Sequence, residues 1–305
     1  MKKNLILAVA ILMILSFSFS CKSPPPPAAA ERPAPPLLPP APPPRAAETP
    51  PDTSAPVLTV TLSPQPFSPD GDGVDDELFV NIKVDTKSDI HSWHIEIREP
   101  APGYQLFSEW SGEGMPSETS FVWDGFSSKG ELVQSATDYH FSIIVNNIYN
   151  NSATYQGIIS VDVLVRREGD VLRVIVPSIV FGSNSGDFKG LNSDILAVNN
   201  RILLRIAEVL NRYPTYKIKV EGHANPTTPP GTQARTDEER GTRTVRGLQP
   251  LSEERAQSVL EFLATHGVER SRLTAVGMGG TRIVAEFTDR DNWWKNRRVE
   301  FILIK

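Results

Sequence analysis

The chain has 305 residues, 39% hydrophobic and 22% charged, enough apolar material for one or two ordinary cores. A formal charge of −5 argues against broad nucleic-acid binding, which needs a clustered basic surface, so no nucleic acid is expected as a partner. Its 27 prolines are about twice the usual share, and its single cysteine rules out an intrachain disulfide.

Residues 1–21 read as an export signal. Lys2 and Lys3 precede an apolar run from Leu5 to Leu15, which is too short to remain as a membrane span, and Ser16 to Ser20 lead to Cys21. This placement resembles a bacterial lipoprotein box: small Ser20 fits, while Ser18 stands where the usual leucine would be. The resemblance implies lipid on Cys21 and so a membrane anchor. Lys22, in place of an aspartate, points to the outer membrane, with the folded part facing the periplasm. Plain secretion with an incidental cysteine is the alternative. Residues 22–56 hold 15 of the prolines and hardly any large apolar residue, so they form a linker with extended polyproline character. At about 3.1 Å per residue it can hold a folded module on the order of 100 Å from a membrane.

Residues 57–165 read as all-β. Strands are expected at Leu58–Leu62, Leu78–Val84, Trp93–Ile97, Tyr139–Val145 and Ile158–Val165, with turn-rich segments between them. The stretches from Pro66 to Asp76 and from Phe121 to Gly125, together with Gly130 and Tyr139, resemble an immunoglobulin-like repeat of flagellar hook-capping and gliding-motility proteins. The resemblance implies a β-sandwich with a structural or adhesive role. Asp70, Asp72, Asp75, Asp76 and Glu77 put five carboxylates into eight residues, a density of hard oxygens that suits Ca²⁺. The spacing is not that of an EF-hand, and a solvated Asp/Gly turn explains the same residues. No other cofactor is expected. His91 and His94 fall on opposite faces of a strand, and His140, His223 and His266 stand apart, so no histidine metal site is expected.

Residues 166–305 change to alternating strands and helices. Val171–Phe181 is strand-like, and a helix with the stripe Ile195, Val198, Ile202, Ile206 and Val209 follows, capped at Asn192 or Ser193. Tyr216–Gly222 alternates as a half-buried strand. A second helix is expected from Ser252, burying Ala256, Val259, Leu260 and Leu263, and strands at Arg272–Val276 and Arg298–Ile304 complete a βαβαββ two-layer domain. The expected whole is therefore multidomain, a sandwich followed by an α/β domain.

Four motifs then occur in order: Gly222-His223-Ala224-Asn225, Leu251-Ser252-Glu253-Glu254-Arg255-Ala256, Gly277-Met278-Gly279 and Asn296-Arg297-Arg298-Val299-Glu300. Together they resemble the OmpA C-terminal domain, a peptidoglycan-binding module whose ligand is the stem-peptide diamino acid. The resemblance implies that Arg255 forks onto the ligand's carboxylate, near the helix start where backbone N–H groups favour an anion, and that position 225 pairs with its ammonium. Here Asn225 replaces the family's aspartate, removing a charge, and Asn225→Asp is expected to strengthen binding. His223, Asn296 and Arg298 are further candidates. If 297 and 298 lie on a strand they face opposite ways, so one reaches the ligand and the other braces Glu300. Residues 226–250 lengthen the gap between the first two motifs, either to cover the site or as a solvated loop.

These residues imply a non-catalytic lipoprotein joining the outer membrane to peptidoglycan, with other envelope proteins as further partners. The sequence offers no nucleophile–base pair and no phosphate loop, so no enzyme is expected. The rival reading is a degenerate domain that has lost peptidoglycan and serves as a structural or protein-interaction module.

Overall fold

The computed structural model describes residues 52–100, 104–182 and 184–305. The export signal, Cys21 and most of the proline-rich linker lie outside the described residues.

Seven strands build the first module: β1 (Val57–Ser63), β2 (Leu78–Asp85), β3 (Ile90–Arg98), β4 (Leu106–Glu113), β5 (Glu118–Trp123), β6 (Asp138–Asn147) and β7 (Ser152–Ser160). Alternation drives them. In β2, Leu78, Val80, Ile82 and Val84 are buried while every residue between them is exposed. Sheets β1-β2-β5 and β4-β3-β6-β7 are antiparallel throughout. Their inner faces close on one core containing Phe67, Ile95, Trp123, Tyr139 and Phe141. β4 and β5 escape a reading by periodicity because serine, threonine, glutamate and glycine fill most of their length and little of either strand is buried. The last strand ends at Ser160, short of the expected Val165. Beyond it the chain runs to the second module, held at Asp162, whose N–H donates to the Phe67 carbonyl at 2.8 Å.

The second module comprises β8 (Arg166–Glu168), β9 (Val171–Val176), α1 (Ser193–Asn211), β10 (Lys217–Gly222), α2 (Gln233–Arg240), α3 (Leu248–Thr265), β11 (Leu273–Gly277), α4 (Trp293–Asn296) and β12 (Val299–Ile304). The sheet order is β11-β10-β12-β9-β8, with β10 and β11 parallel and the other pairs antiparallel. Asn192 caps α1, its side-chain oxygen accepting from the Ile195 N–H at 2.8 Å. Ile202, Leu203 and Ile206 of α1 and Val259, Leu260 and Leu263 of α3 share one core with Val174, Val220 and Phe301 of the sheet.

Three expectations change. The strand expected over Val171–Phe181 ends at Val176, before Pro177, which has no N–H to give a sheet. α3 starts at Leu248, not Ser252, because Pro250 sits in its first turn, where a missing N–H costs no hydrogen bond. The long stretch before it contains α2, which has no buried residue and so no apolar stripe to betray it.

The two modules meet through polar bonds. Lys295 Nζ, almost fully buried, lies 2.6 Å from a carboxylate oxygen of Glu99 and 2.6 Å from one of Glu131. Arg205 forks onto Asp162 at 2.9 and 2.5 Å, and Ser178 Oγ donates to the Ala136 carbonyl at 2.7 Å.

Candidate functional site

The glycines and the serine of the motifs first serve packing. Gly222 and Gly277 are register partners at the ends of β10 and β11. A Cβ on Gly222 would strike the Ser252 carbonyl, and one on Gly277 would lie 2.6 Å from the Glu253 nitrogen. Only glycine lets α3 lie so close to the strand ends. Ser252 is fully buried: its Oγ accepts from the Gly279 N–H and donates to the Gln249 carbonyl, both at 2.8 Å. The hydroxyl therefore ties helix to turn and is spent internally.

Asn225 and Asn296 form a pair of fixed orientation. Asn296 Oδ1 accepts from the N–H groups of Val284 and Ala285 at 2.8 and 2.9 Å, which obliges its Nδ2 to face Asn225 Oδ1 at 2.9 Å. Asn225 Nδ2 in turn donates to the Pro226 carbonyl at 3.0 Å. Both amides are thus satisfied within the protein. Asn296, a candidate ligand contact in the sequence, braces the 284–285 turn and Asn225 in the structure.

His223 and Arg298 also turn inward, contrary to their reading as ligand contacts. Arg298 Nε donates to Glu300 at 2.7 Å, and Arg173 holds the other oxygen of the same carboxylate. Burial, the largest single influence, would raise Glu300, but the Arg298 charge together with the hydrogen bonds from Arg298 and Arg173 outweighs it and keeps the carboxyl below its usual range. His223 is 1% exposed, with Nε2 3.6 Å from Glu300 and 3.9 Å from Glu221. Burial, then the nearby Arg298, push its pKa down to about 4, so the ring is neutral. Glu221, His223 and Glu300 bring one ligand atom each within 4.8 Å of one another, a spacing a metal ion could use. Lys219 and Arg282 pair with Glu221 as Arg173 and Arg298 pair with Glu300, so the charge set opposes a cation there.

Arg255 behaves differently. It is the eighth residue of α3, past the first turn in which a start at Ser252 would place it. Its Nε donates to the Ser185 carbonyl at 3.1 Å and its guanidinium lies over the Phe181 ring, 5.1 Å from the centroid. Among the described residues no carboxylate stands within 4.0 Å of it, although it is only 9% exposed. Burial, then the charge of Arg297, lower its pKa to about 10; the side chain stays protonated at neutral pH, at a desolvation cost that an anion would offset.

Arg255 opens onto a cavity of about 380 Å³ whose lining includes Phe181, Arg201, Trp294 and Arg297 from the second module and Thr137 and Asp138 from the first. His223, Asn225, Asn296 and Arg298 are not among the lining residues. Arg297, not Arg298, is the arginine beside Arg255. One of the two arginines does brace Glu300, as alternation would have it, but it is Arg298, the candidate contact; the residues do not share a strand, because Trp293–Asn296 is a helical turn and β12 begins only at Val299. Residues 226–250 do not line the cavity either.

In the acidic loop of the first module, Asp70, Asp72 and Asp76 come within 4.8 Å of one another, while Asp75 stands outside the group in a left-handed conformation (φ 57°). Asp76 accepts from the Gly71 and Gly73 N–H groups at 2.7 Å each, Asp72 from Val74 at 2.8 Å and Asp70 from Val165 at 3.0 Å. The carboxylates thus shape the turn.

Comparison with known proteins places this geometry. The OmpA family matches residues 188–297. The peptidoglycan-associated lipoprotein of Agrobacterium fabrum is 36% identical over 126 residues, 40% of this chain and 63% of that protein. Its counterpart from Mesorhizobium japonicum is 37% identical over 121 residues, 39% of this chain and again 63% of the relative. In both cases the match spans less than two thirds of the relative's length. Among solved structures, the cell wall anchor of the T6SS from Pseudomonas aeruginosa aligns at 28% identity over 47% of this chain and 87% of that one, with a TM-score of 0.34. Residues 188–297 of this chain are an OmpA-like domain.

Proposed function

We propose that this chain is a non-catalytic cell-envelope lipoprotein that holds peptidoglycan through its OmpA-like domain, tethered to the outer membrane by lipid on Cys21. The observation that carries the reading is Arg255: a buried guanidinium with no carboxylate partner among the described residues, lining a cavity with a second arginine beside it. Such a pair favours a carboxylate-bearing ligand, here the free end of the stem-peptide diamino acid. Relatives that are peptidoglycan-associated lipoproteins support it. The proline-rich linker and the sandwich then act as spacer and arm. We read the sandwich as immunoglobulin-type. Its β1-β2-β5 and β4-β3-β6-β7 sheets support this, as does Tyr139 near the start of β6, whose hydroxyl accepts from the Gln134 N–H at 2.9 Å in the manner of a tyrosine corner.

The test is co-sedimentation of the full chain with purified peptidoglycan. Arg255→Ala is expected to weaken retention roughly tenfold to a hundredfold, the range of one charge-assisted hydrogen bond. Wild-type protein that stays in the supernatant would instead favour the degenerate-domain reading. One observation supports that rival: the Asn225 amide is consumed by Asn296 and Pro226.

A further inference from the structure

The cavity at Arg255 has walls from both modules. Arg255, Arg297, Trp294 and Phe181 belong to the OmpA-like domain, whereas Ala136, Thr137 and Asp138 belong to the sandwich. Three arginines line it, and Asp138, at the start of β6, is the one acidic residue among the lining residues described. Asn225, where a carboxylate would be expected for a ligand's ammonium, is neutral and does not line the cavity. The sandwich wall is held in place. Ala136 accepts from Ser178, and both line the cavity, while Arg205–Asp162 and Lys295–Glu99 join the modules. Asp138 itself is committed only loosely: its pair with Arg201 is 3.7 Å long, with the two side chains 48% and 68% exposed. Pairs of that kind contribute little, so a cation entering the cavity can take the carboxylate over.

We propose that the site is composite: Asp138, supplied by the sandwich, receives the ammonium of a zwitterionic amino-acid end whose carboxylate lies on Arg255 and Arg297. The proposal rests on the peptidoglycan reading and adds the residue that replaces the missing charge at position 225. The acid is carried by a module outside the OmpA-like domain, so that domain alone would hold only half of the ligand. The sandwich is then part of the recognition surface as well as a spacer.

Binding of a soluble stem peptide ending in a free diamino acid to the full chain, by calorimetry, tests this. Asp138→Asn is expected to weaken it about tenfold, the difference between a charged and a neutral acceptor for an ammonium. Acetylating the ligand's free ammonium should cost the wild type a similar factor and cost Asp138→Asn nothing further. Wild-type affinity in Asp138→Asn alongside loss in Arg255→Ala would overturn the proposal, leaving the Arg255 reading intact. No binding by the wild type would remove both.

Discussion

At His223, burial overrides ordinary imidazole chemistry. The ring is enclosed, neither nitrogen has a hydrogen-bond partner, and its pKa of about 4 lies below the unfolded value near 6.5. Between those values the unfolded chain binds the extra proton, so stability is full above about pH 6.5 and falls as pH drops toward 4. The window is worth up to about 3 kcal/mol at 1.36 kcal/mol per pKa unit. Urea titrations of wild type and His223→Asn at pH 7 and pH 4.5 should show the acid-dependent loss in the wild type and a much smaller one in the variant. Equal losses would mean that the ring is not held neutral. Asn225 gives a second expectation at this scale, and it revises the one from the sequence. An aspartate there would face the Pro226 carbonyl with an oxygen where the amide now donates, so Asn225→Asp should cost about 1 kcal/mol in urea unfolding. Because position 225 does not line the cavity, retention on peptidoglycan should change less than about twofold.

Among the elements, α2 shows what polar staples do without a core. Arg235 donates to the Thr228 carbonyl at 2.8 Å and the Gly280 carbonyl at 2.6 Å, and Glu238 receives N–H and hydroxyl groups of Thr227 and Thr228. Glu239 accepts from the Gly280 N–H at 3.0 and 3.1 Å. These bonds fasten the long segment between the first two motifs to the turn after β11. Losing its tertiary bonds through Arg235→Ala should cost about 2 kcal/mol locally, seen as faster hydrogen exchange across 227–240 with little change in α1 or α3. Unchanged exchange would mean that α2 is held by something else. None of this is visible to hydrophobic periodicity, which found α1 and α3 by their buried stripes and passed over α2.

At the scale of the molecule, Lys295 ties the two modules together. Burial would lower its pKa, but the carboxylates of Glu131 and Glu99 outweigh that and hold it raised; Glu99 is raised by its own burial. Lys295→Met leaves Glu99 enclosed without its cation, which should cost about 3–5 kcal/mol. Adding Glu99→Gln should recover most of that in a double-mutant cycle by urea unfolding. A single-mutant cost below about 1 kcal/mol would remove the joint described here. The lysine sits within the run Trp293-Trp294-Lys295-Asn296, just before the last motif, and no local pattern marks it as a joint.

Strands with clean alternation, such as β2, were legible in the sequence, as were α1 and α3 from their apolar stripes, although Val198 of the α1 stripe is exposed and Glu221, on the polar side of the β10 pattern, is buried. So was the identity of residues 188–297, because short-range periodicity and motif order are local properties of the chain. Arg255 was legible too, as a residue type at a fixed offset. Tertiary structure alone decided its surroundings. The helical turn before β12 brings Arg297 to the cavity and sends Arg298 to Glu300, and the packing of one module on the other sets Asp138 in the same wall. Those groups lie far apart along the chain, and no repeat or spacing connects them. Their meeting depends on how two cores dock, a global balance of packing and buried charge that the local pattern does not encode.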